Sequence, residues 1–496
     1  ELRSLLHRKP RGGDNTLLCG LFTVCGLTNR LTYGFSVSVM TSPSEFIKDL
    51  VNQTCLERYN LSLEKWQLSL IWSFTVSIFC IGGLIGSLTV GSLISKHGRK
   101  RCLLLNNFVA ISGALLMLLS KQARSFEMIM VGRFLYGFNA GVGVSAHAMY
   151  MGECAPVRLR GMVGVTVATS TSFGKFVGQL LGISELLGTE DRWPWLLGFN
   201  GFTALLQLAT LPFLPESPSF LLLNRGDYQA CDQALKRLRG NKDYTQEVDN
   251  IMKEKTAMQN VCSYSLLEFI RDKSVRWQLL TIITTFVGMQ MCGINAVSYV
   301  PYQLSYAALG TGLCELITSF ACFMIIESMG RKALIFRGFM NMSATLVLLT
   351  ITLYLQVISW LPYCSMALIL LFILFFSSGP AGAIVSLPGE ILTQPLKSAG
   401  YTLACILSWT GLFTLGMVFP VIENLGPFCF LIFLVFCMVS GLFVRFNIPE
   451  TKNKTVLEEP EKMTPKQQSP HRCPHSSSIF TKQRSQIYSY TRNMHT

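Results

Sequence analysis

Gly98-Arg99-Lys100-Arg101 and Gly330-Arg331-Lys332 decide the fold, because each is a short charged joint between long apolar runs and the second nearly copies the first. Two more pairs follow in the same order. Gly152-Glu153 is echoed by Gly389-Glu390, and Pro215-Glu216-Ser217 by Pro449-Glu450-Thr451. Arg99 and Arg331 lie 232 positions apart, Glu153 and Glu390 237, and Glu216 and Glu450 234. A constant offset near half of 496 residues means that one unit occurs twice, each copy with the same three joints. In an apolar chain this is the plan of a two-half membrane carrier.

The apolar character is strong enough to name the solvent. Half of the residues are hydrophobic, 14% are charged and the mean hydropathy is +0.40, more apolar surface than a water-soluble core of this size buries. Leu68 to Ile94, Trp277 to Tyr299, Ala333 to Gln356 and Phe428 to Phe446 are each long enough to cross a hydrocarbon core of about 30 Å as helices. Counting all such runs gives roughly twelve spans, six per half. The expected fold is therefore all-α and integral to the membrane. The first span, Leu17 to Met40, is the weakest of the set. Sixteen cysteines lie mostly within apolar runs or inner loops, with Cys55 in the long loop after the first span, so the spacing implies no disulfide framework.

A net charge of +14 raises the question of a nucleic-acid partner, but Lys and Arg sit between spans and in the tail and form no basic domain. The positive-inside rule accounts for them. It assigns Lys96 to Arg101, Arg158 to Arg160, Pro215 to Trp277, Arg331 to Arg337 and the tail after Pro449 to the cytoplasm, with both termini cytoplasmic. Asn52 and Asn60 head glycosylation sequons in the loop that this topology puts outside. The sequons at Asn341 and Asn453 fall on the inner side, where they are unusable. Glu1 opens the chain with no cleavable signal, so either targeting falls to the first span or the chain is a fragment. The division expected is a six-helix half over 1–214, a cytoplasmic linker over 215–276, a second half over 277–448 and a tail over 449–496. Tyr228, Cys231, Leu235 and Leu238 have helical spacing in the linker, and the Ser, Gln, Lys and Arg content after about Glu461 reads as disordered.

Read in order, these residues resemble the facilitative hexose transporters, in the sugar-porter branch of the major facilitator superfamily. The carriers are Gly98 to Arg101, Gly132-Arg133, Glu153 through Pro156 to Arg160-Gly161, Gly178-Gln179-Leu180, Pro215 to Pro218, Gln290 to Asn295, Glu327 through Lys332, Gly379-Pro380 and Pro449 to Lys452. Val385, where the glucose-selective class has a tryptophan, and Glu315, where it has an asparagine, resemble the second class, which handles fructose, glucose or urate. The resemblance implies energy-independent hexose uniport by alternating access, twelve helices in two halves, a plasma-membrane location, no cofactor and a small-molecule substrate.

Sugar hydroxyls are neutral donors and acceptors, so their passage needs amides inside the bundle. Gln179, Gln290 and Asn295 are the leading substrate contacts, although amides of this kind also bond simply from helix to helix. Trp409 is suited to stacking on a sugar face or to packing against span 12. Met289, Ser408 and Leu412 replace amides of the family pattern, which implies weaker or altered sugar recognition.

The charged joints suit gating. The resemblance implies a cytoplasmic latch of Arg99, Glu153, Arg160 and Glu216 in the first half with Glu327, Arg331, Glu390, Lys397 and Glu450 in the second, paired when the carrier faces outward. Ser219 and Lys397 stand where the family has arginines, which loosens it. Arg30, Lys175, His147 and Glu315 are intramembrane charges or titratable groups. Lys175 precedes Gln179 by four residues and shares its helical face, so it either offers positive charge to an anion such as urate or snorkels or pairs with Glu315. His147 reads as a helix-packing residue.

The rival readings are facilitated urate transport, proton-coupled symport and a non-transporting sensor. Related symporters carry an acid in span 1, and Leu17 to Pro43 has none. No nucleophile-base set, metal-ligand spacing or phosphate loop supports an enzyme. Between Asn295 and Gly312 the chain is about ten residues shorter than the family pattern. Tyr299 to Tyr306, broken by Pro301, leaves little chain to finish span 7 and turn, so an impaired isoform or an imperfect gene model is the expectation there.

Overall fold

The computed structural model describes residues 28–155, 160–239, 248–249, 251–252, 265–293, 307–355, 360–392 and 394–448. Within them, twelve helices stand in the order of the expected spans. Those of the first half are Thr28–Ser38 (span 1), Lys65–His97 (span 2), Arg99–Leu119 (span 3), Phe126–Cys154 (span 4), Arg160–Leu181 (span 5) and Trp193–Thr210 (span 6). Those of the second are Arg276–Gln290 (span 7), Ala307–Met329 (span 8), Arg331–Tyr354 (span 9), Leu361–Ser378 (span 10), Gln394–Glu423 (span 11) and Cys429–Asn447 (span 12). The helix Ser44–Tyr59 follows span 1, and Tyr228–Arg239 lies between the halves with Cys231, Leu235 and Leu238 buried.

Seven stretches of these helices are long and apolar enough to cross a bilayer on length and composition alone. Span 4 is not among them, because it carries Glu127, Arg133, His147 and Glu153 and buries Arg133, Asn139 and His147 against its neighbours. A helix enclosed by other helices needs small and polar residues more than greasy ones. Span 4 lies against span 2 and span 3, and span 5 against span 1. Glycines at four-residue spacing make these contacts close: a Cβ on Gly137 would strike the carbonyl of Phe79, one on Gly141 that of Gly83, and one on Gly174 that of Leu31. Backbones meet there without side chains between them.

Gly98 and Gly330 begin spans 3 and 9 with the same unusual backbone, φ +94° and ψ 169° in the first, φ +83° and ψ 149° in the second. An L side chain is strained at such positive φ, so glycine precedes the charged joint in both repeats.

Two seams join the halves: span 2 packs on span 11, and span 5 on span 8. Exchanging the repeats exchanges span 2 with span 8 and span 5 with span 11, so each seam is the other's counterpart. Within the second half, Phe339, Phe372 and Phe433 are fully buried in one core. A core of the first half, around Phe35, Phe79, Tyr136 and Trp193, also takes in Trp409 from the second half.

Candidate substrate site and charged joints

Span 5 and span 8 run antiparallel, and three polar pairs bridge them like rungs. The Ser172 and Ser319 hydroxyls lie 2.7 Å apart, Lys175 Nζ donates to Glu315 Oε1 at 2.6 Å, and Gln179 Nε2 reaches Thr311 Oγ1 at 3.5 Å. The rungs advance by three or four residues on each helix, the interval that keeps side chains on one face. Lys175 and Glu315 are thus ion-paired across the halves, with 24% and 22% of their side chains exposed. The lysine's charge is matched where it stands.

Gln179 sits in a notch made by Gly312, whose missing side chain leaves room for its amide oxygen. That oxygen is buried without a hydrogen-bond partner among the described residues, and its Thr311 contact is long. Both ends of the amide are therefore under-used. Gln290 is the last residue of the span 7 helix, buried at 7% exposure, with Gly411 of span 11 against its Cβ and Cγ. Just beyond it, Gly293 takes φ +89° under the ring of Phe433, and the helix ends. Asn295 and the shortened segment Tyr299 to Tyr306 lie outside the described residues.

Trp409 turns away from span 12. Its indole N–H donates to Ser87 of span 2 at 2.9 Å, and its ring lies edge-on to Tyr33 and Phe79 at 6.1 and 5.9 Å, in a gap left by Gly83. The expected alternative to sugar stacking, contact with span 12, is replaced by a clasp across the halves. A bulky ring fills the place where the facing helix has no side chain. Further along the same seam, away from the charged joints, a Cβ on Gly416 would strike the Ser77 hydroxyl.

At the other end the three joints of the first half converge. Arg99 donates from Nη2 and Nε to Glu153 Oε1 at 2.9 and 3.2 Å, while Ser217 Oγ donates to Glu153 Oε2. Glu216 Oε1 accepts from the backbone amides of Lys100 and Ser217 at 2.9 and 3.0 Å, and Tyr150 donates to the Pro215 carbonyl. The second half repeats the central pair, with Arg331 Nε on Glu390 Oε1 at 2.8 Å. Arg99–Glu153 and Arg331–Glu390 are the same bond in the two repeats. Both lie within a half, and among the described residues no ion pair at this end crosses between halves. Lys397 is half-buried and has no ion pair among the described residues. Arg160 and Glu327 belong to helices whose side chains at those positions are outside the described set, as is Glu450.

Arg30 donates from Nη2 to the Val144 carbonyl at 2.9 Å, and His147 is fully buried one turn further along span 4. Asn52 and Asn60 are exposed on and at the end of the Ser44–Tyr59 helix, Asn60 with φ 52°. Ser87, Ser172, Ser319, Thr311 and Tyr33 were not singled out from sequence. Serine and threonine occur throughout these helices and mostly bond to their own backbone one turn back, so nothing in the sequence marks the few that reach across. The glycine intervals Gly82 to Gly86, Gly137 to Gly141 and Gly174 to Gly178 to Gly182 are the signal that was available.

Two repeated six-helix halves, meeting along two equivalent seams around mid-depth polar groups, define a carrier of the major facilitator fold. Solved structures agree: the inward-open xylose transporter XylE from E. coli superposes with a TM-score of 0.75 at 20% identity, over 89% of this chain and 98% of its own. The family profile described as "Sugar (and other) transporter" matches residues 22–463. The bovine protein named solute carrier family 2, facilitated glucose transporter member 5, is 40% identical over 439 residues, covering 86% of this chain and 88% of its own. The human member 9 is 39% identical over 439 residues, covering 86% and 81%. The chain belongs to the sugar transporter family, in its solute carrier 2 branch.

Proposed function

We propose that this protein is a facilitative hexose uniporter, carrying fructose or glucose by alternating access at the plasma membrane. The observation that carries the reading is the balance of charge along the span 5 and span 8 seam. Lys175 is neutralised by Glu315 at 2.6 Å, while the amide of Gln179, one turn away on the same seam, keeps unused hydrogen-bonding capacity. A neutral amide with spare capacity suits a polyhydroxylated neutral cargo, and a matched lysine gives little attraction to an anion such as urate. Asn295 is a further proposed sugar contact, and Trp409 contributes by closing the opposite seam. The absence of an acid in Thr28–Ser38 favours uniport over proton coupling.

The same arrangement supports a gating cycle. The halves touch from mid-depth towards the end that carries Ser44–Tyr59, and the charged joints at the other end pair within their own halves. With the positive-inside orientation and both termini cytoplasmic, this is an inward-facing state. Arg99, Glu153, Arg160, Glu216, Glu327, Arg331, Glu390, Lys397 and Glu450 would close across the halves in the outward-facing one. Asn52 and Asn60 are then extracellular and open to glycosylation.

Uptake of labelled fructose, glucose and urate in oocytes, normalised to surface protein, tests the reading. Saturable hexose uptake that falls in Gln290→Ala is expected. Urate uptake without hexose uptake, lost in Lys175→Ala, overturns it, as does surface protein that moves none of the three.

A further inference from the structure

At the charged-joint end of the first half, span 3 and the segment after span 6 line a half-open cavity of about 390 Å³. Its walls include Lys100, Arg101 and Arg225, with Glu216 as the lining carboxylate and Leu104 and Leu221 as apolar wall. Glu216 offsets one of the three cationic charges, so the lining keeps a net positive charge, and one of its oxygens accepts from the amides of Lys100 and Ser217. Lys100 is held by the carbonyls of Pro212 and Leu214 at 2.8 and 2.5 Å, which fixes it at the wall. Arg225 lies over the ring of Phe220 at 5.6 Å, so its guanidinium has a preset position.

What covers this cavity follows from the face of span 3 that leads to it. Arg101, Leu105, Phe108, Ser112 and Leu115 are all exposed and recur at intervals of three or four, which puts them in one stripe along the helix. Phe213, beside the cavity, is 81% exposed. In a membrane-spanning helix such a stripe is covered by acyl chains. A lipid lying along Leu115, Phe108 and Leu105 has its headgroup at the level of Arg101, where the stripe turns cationic and the cavity opens.

We propose that this cavity is a binding site for the phosphate-bearing headgroup of an anionic phospholipid, held by Arg101 and Arg225 and backed by Lys100. Guanidinium groups suit phosphate because their planar donors match its oxygens, and a basic pocket at the membrane edge of a helix bundle attracts anionic headgroups. Neither Arg101 nor Arg225 is among the residues proposed to touch cargo or to close the halves.

The test is native mass spectrometry of the full chain in dodecyl maltoside, titrated separately with dioleoyl phosphatidylinositol 4-phosphate, dioleoyl phosphatidylcholine and soluble inositol 1,4-bisphosphate. The anionic lipid is expected to bind roughly tenfold or more tightly than phosphatidylcholine. Arg101→Gln with Arg225→Gln should abolish that preference, and Lys96→Gln, an exposed cation outside the cavity, should preserve it. If the double variant does not elute as a single species, Arg101→Gln alone reads the site. Equal binding of the two lipids, or a preference untouched by the arginine substitutions, overturns the proposal. So does tight binding of the soluble bisphosphate at this site, which would assign the cavity to a free phosphate compound.

Discussion

Replacing Lys175 with methionine removes one partner of an ion pair that joins the halves inside the membrane, and leaves Glu315 as an unmatched, three-quarters-buried carboxylate. At 2.6 Å and an effective dielectric near 20, the direct attraction is about 6 kcal/mol. Desolvation offsets much of this in the intact pair, but the surviving charge of a broken pair has no offset and costs about 3–5 kcal/mol. Lys175→Met and Glu315→Leu should each destabilise by about 3 kcal/mol, whereas the double variant Lys175→Met with Glu315→Leu should be nearly as stable as the parent. Unfolding in mixed micelles of dodecyl maltoside and SDS, arranged as a double-mutant cycle, reads the coupling directly. With two costly single losses and a near-neutral double, a coupling of about 6 kcal/mol is expected. A value at or below about 0.6 kcal/mol, the average for ordinary hydrogen bonds between membrane helices, would refute the ion-pair reasoning.

Three further outcomes follow. Gln290→Ala should lower hexose kcat/KM about five- to tenfold at constant surface level, the worth of one net hydrogen bond to cargo, measured by initial uptake rates. Trp409→Ala should destabilise by about 3–5 kcal/mol through loss of a buried aromatic, while Ser87→Ala costs about 1 kcal/mol, and thermal aggregation of detergent-purified protein ranks the two. Gly98→Ala and Gly330→Ala should each cost about 1–2 kcal/mol from positive φ, and at Gly98 the added Cβ would also lie 2.7 Å from Glu216 Oε2; surface expression reports both losses.

The parts of this molecule that could be read from sequence are those where a rare residue type stands in a common background. Arg99, Glu153, Arg331 and Glu390 were visible because charges are scarce in an apolar chain, and repeating them at one offset gave both halves at once. Lys175 and Glu315 were visible for the same reason, though the sequence left open whether the lysine would serve an anion, snorkel or pair. Which way Trp409 would turn was not legible, since a tryptophan fits any gap of the right size and the gap at Gly83 is made by folding. Ser87, Ser172 and Ser319 were hidden among many serines of identical local pattern. Nor does a sequence say which state the joints occupy, because one set of charges can pair within a half or across it.

The glycines that let Gly137, Gly141 and Gly174 touch neighbouring backbones lie inside a half, whereas the seams between halves are made of side chains such as Trp409, Lys175 and Gln179. Backbone pressed on backbone has no slack, while side chains exchange partners by turning about single bonds. Each half is thus the stiff arm and each seam the bearing. Wear should follow the same division: drift that lubricates a seam alters turnover, and drift that adds one methyl group to an arm loses the machine.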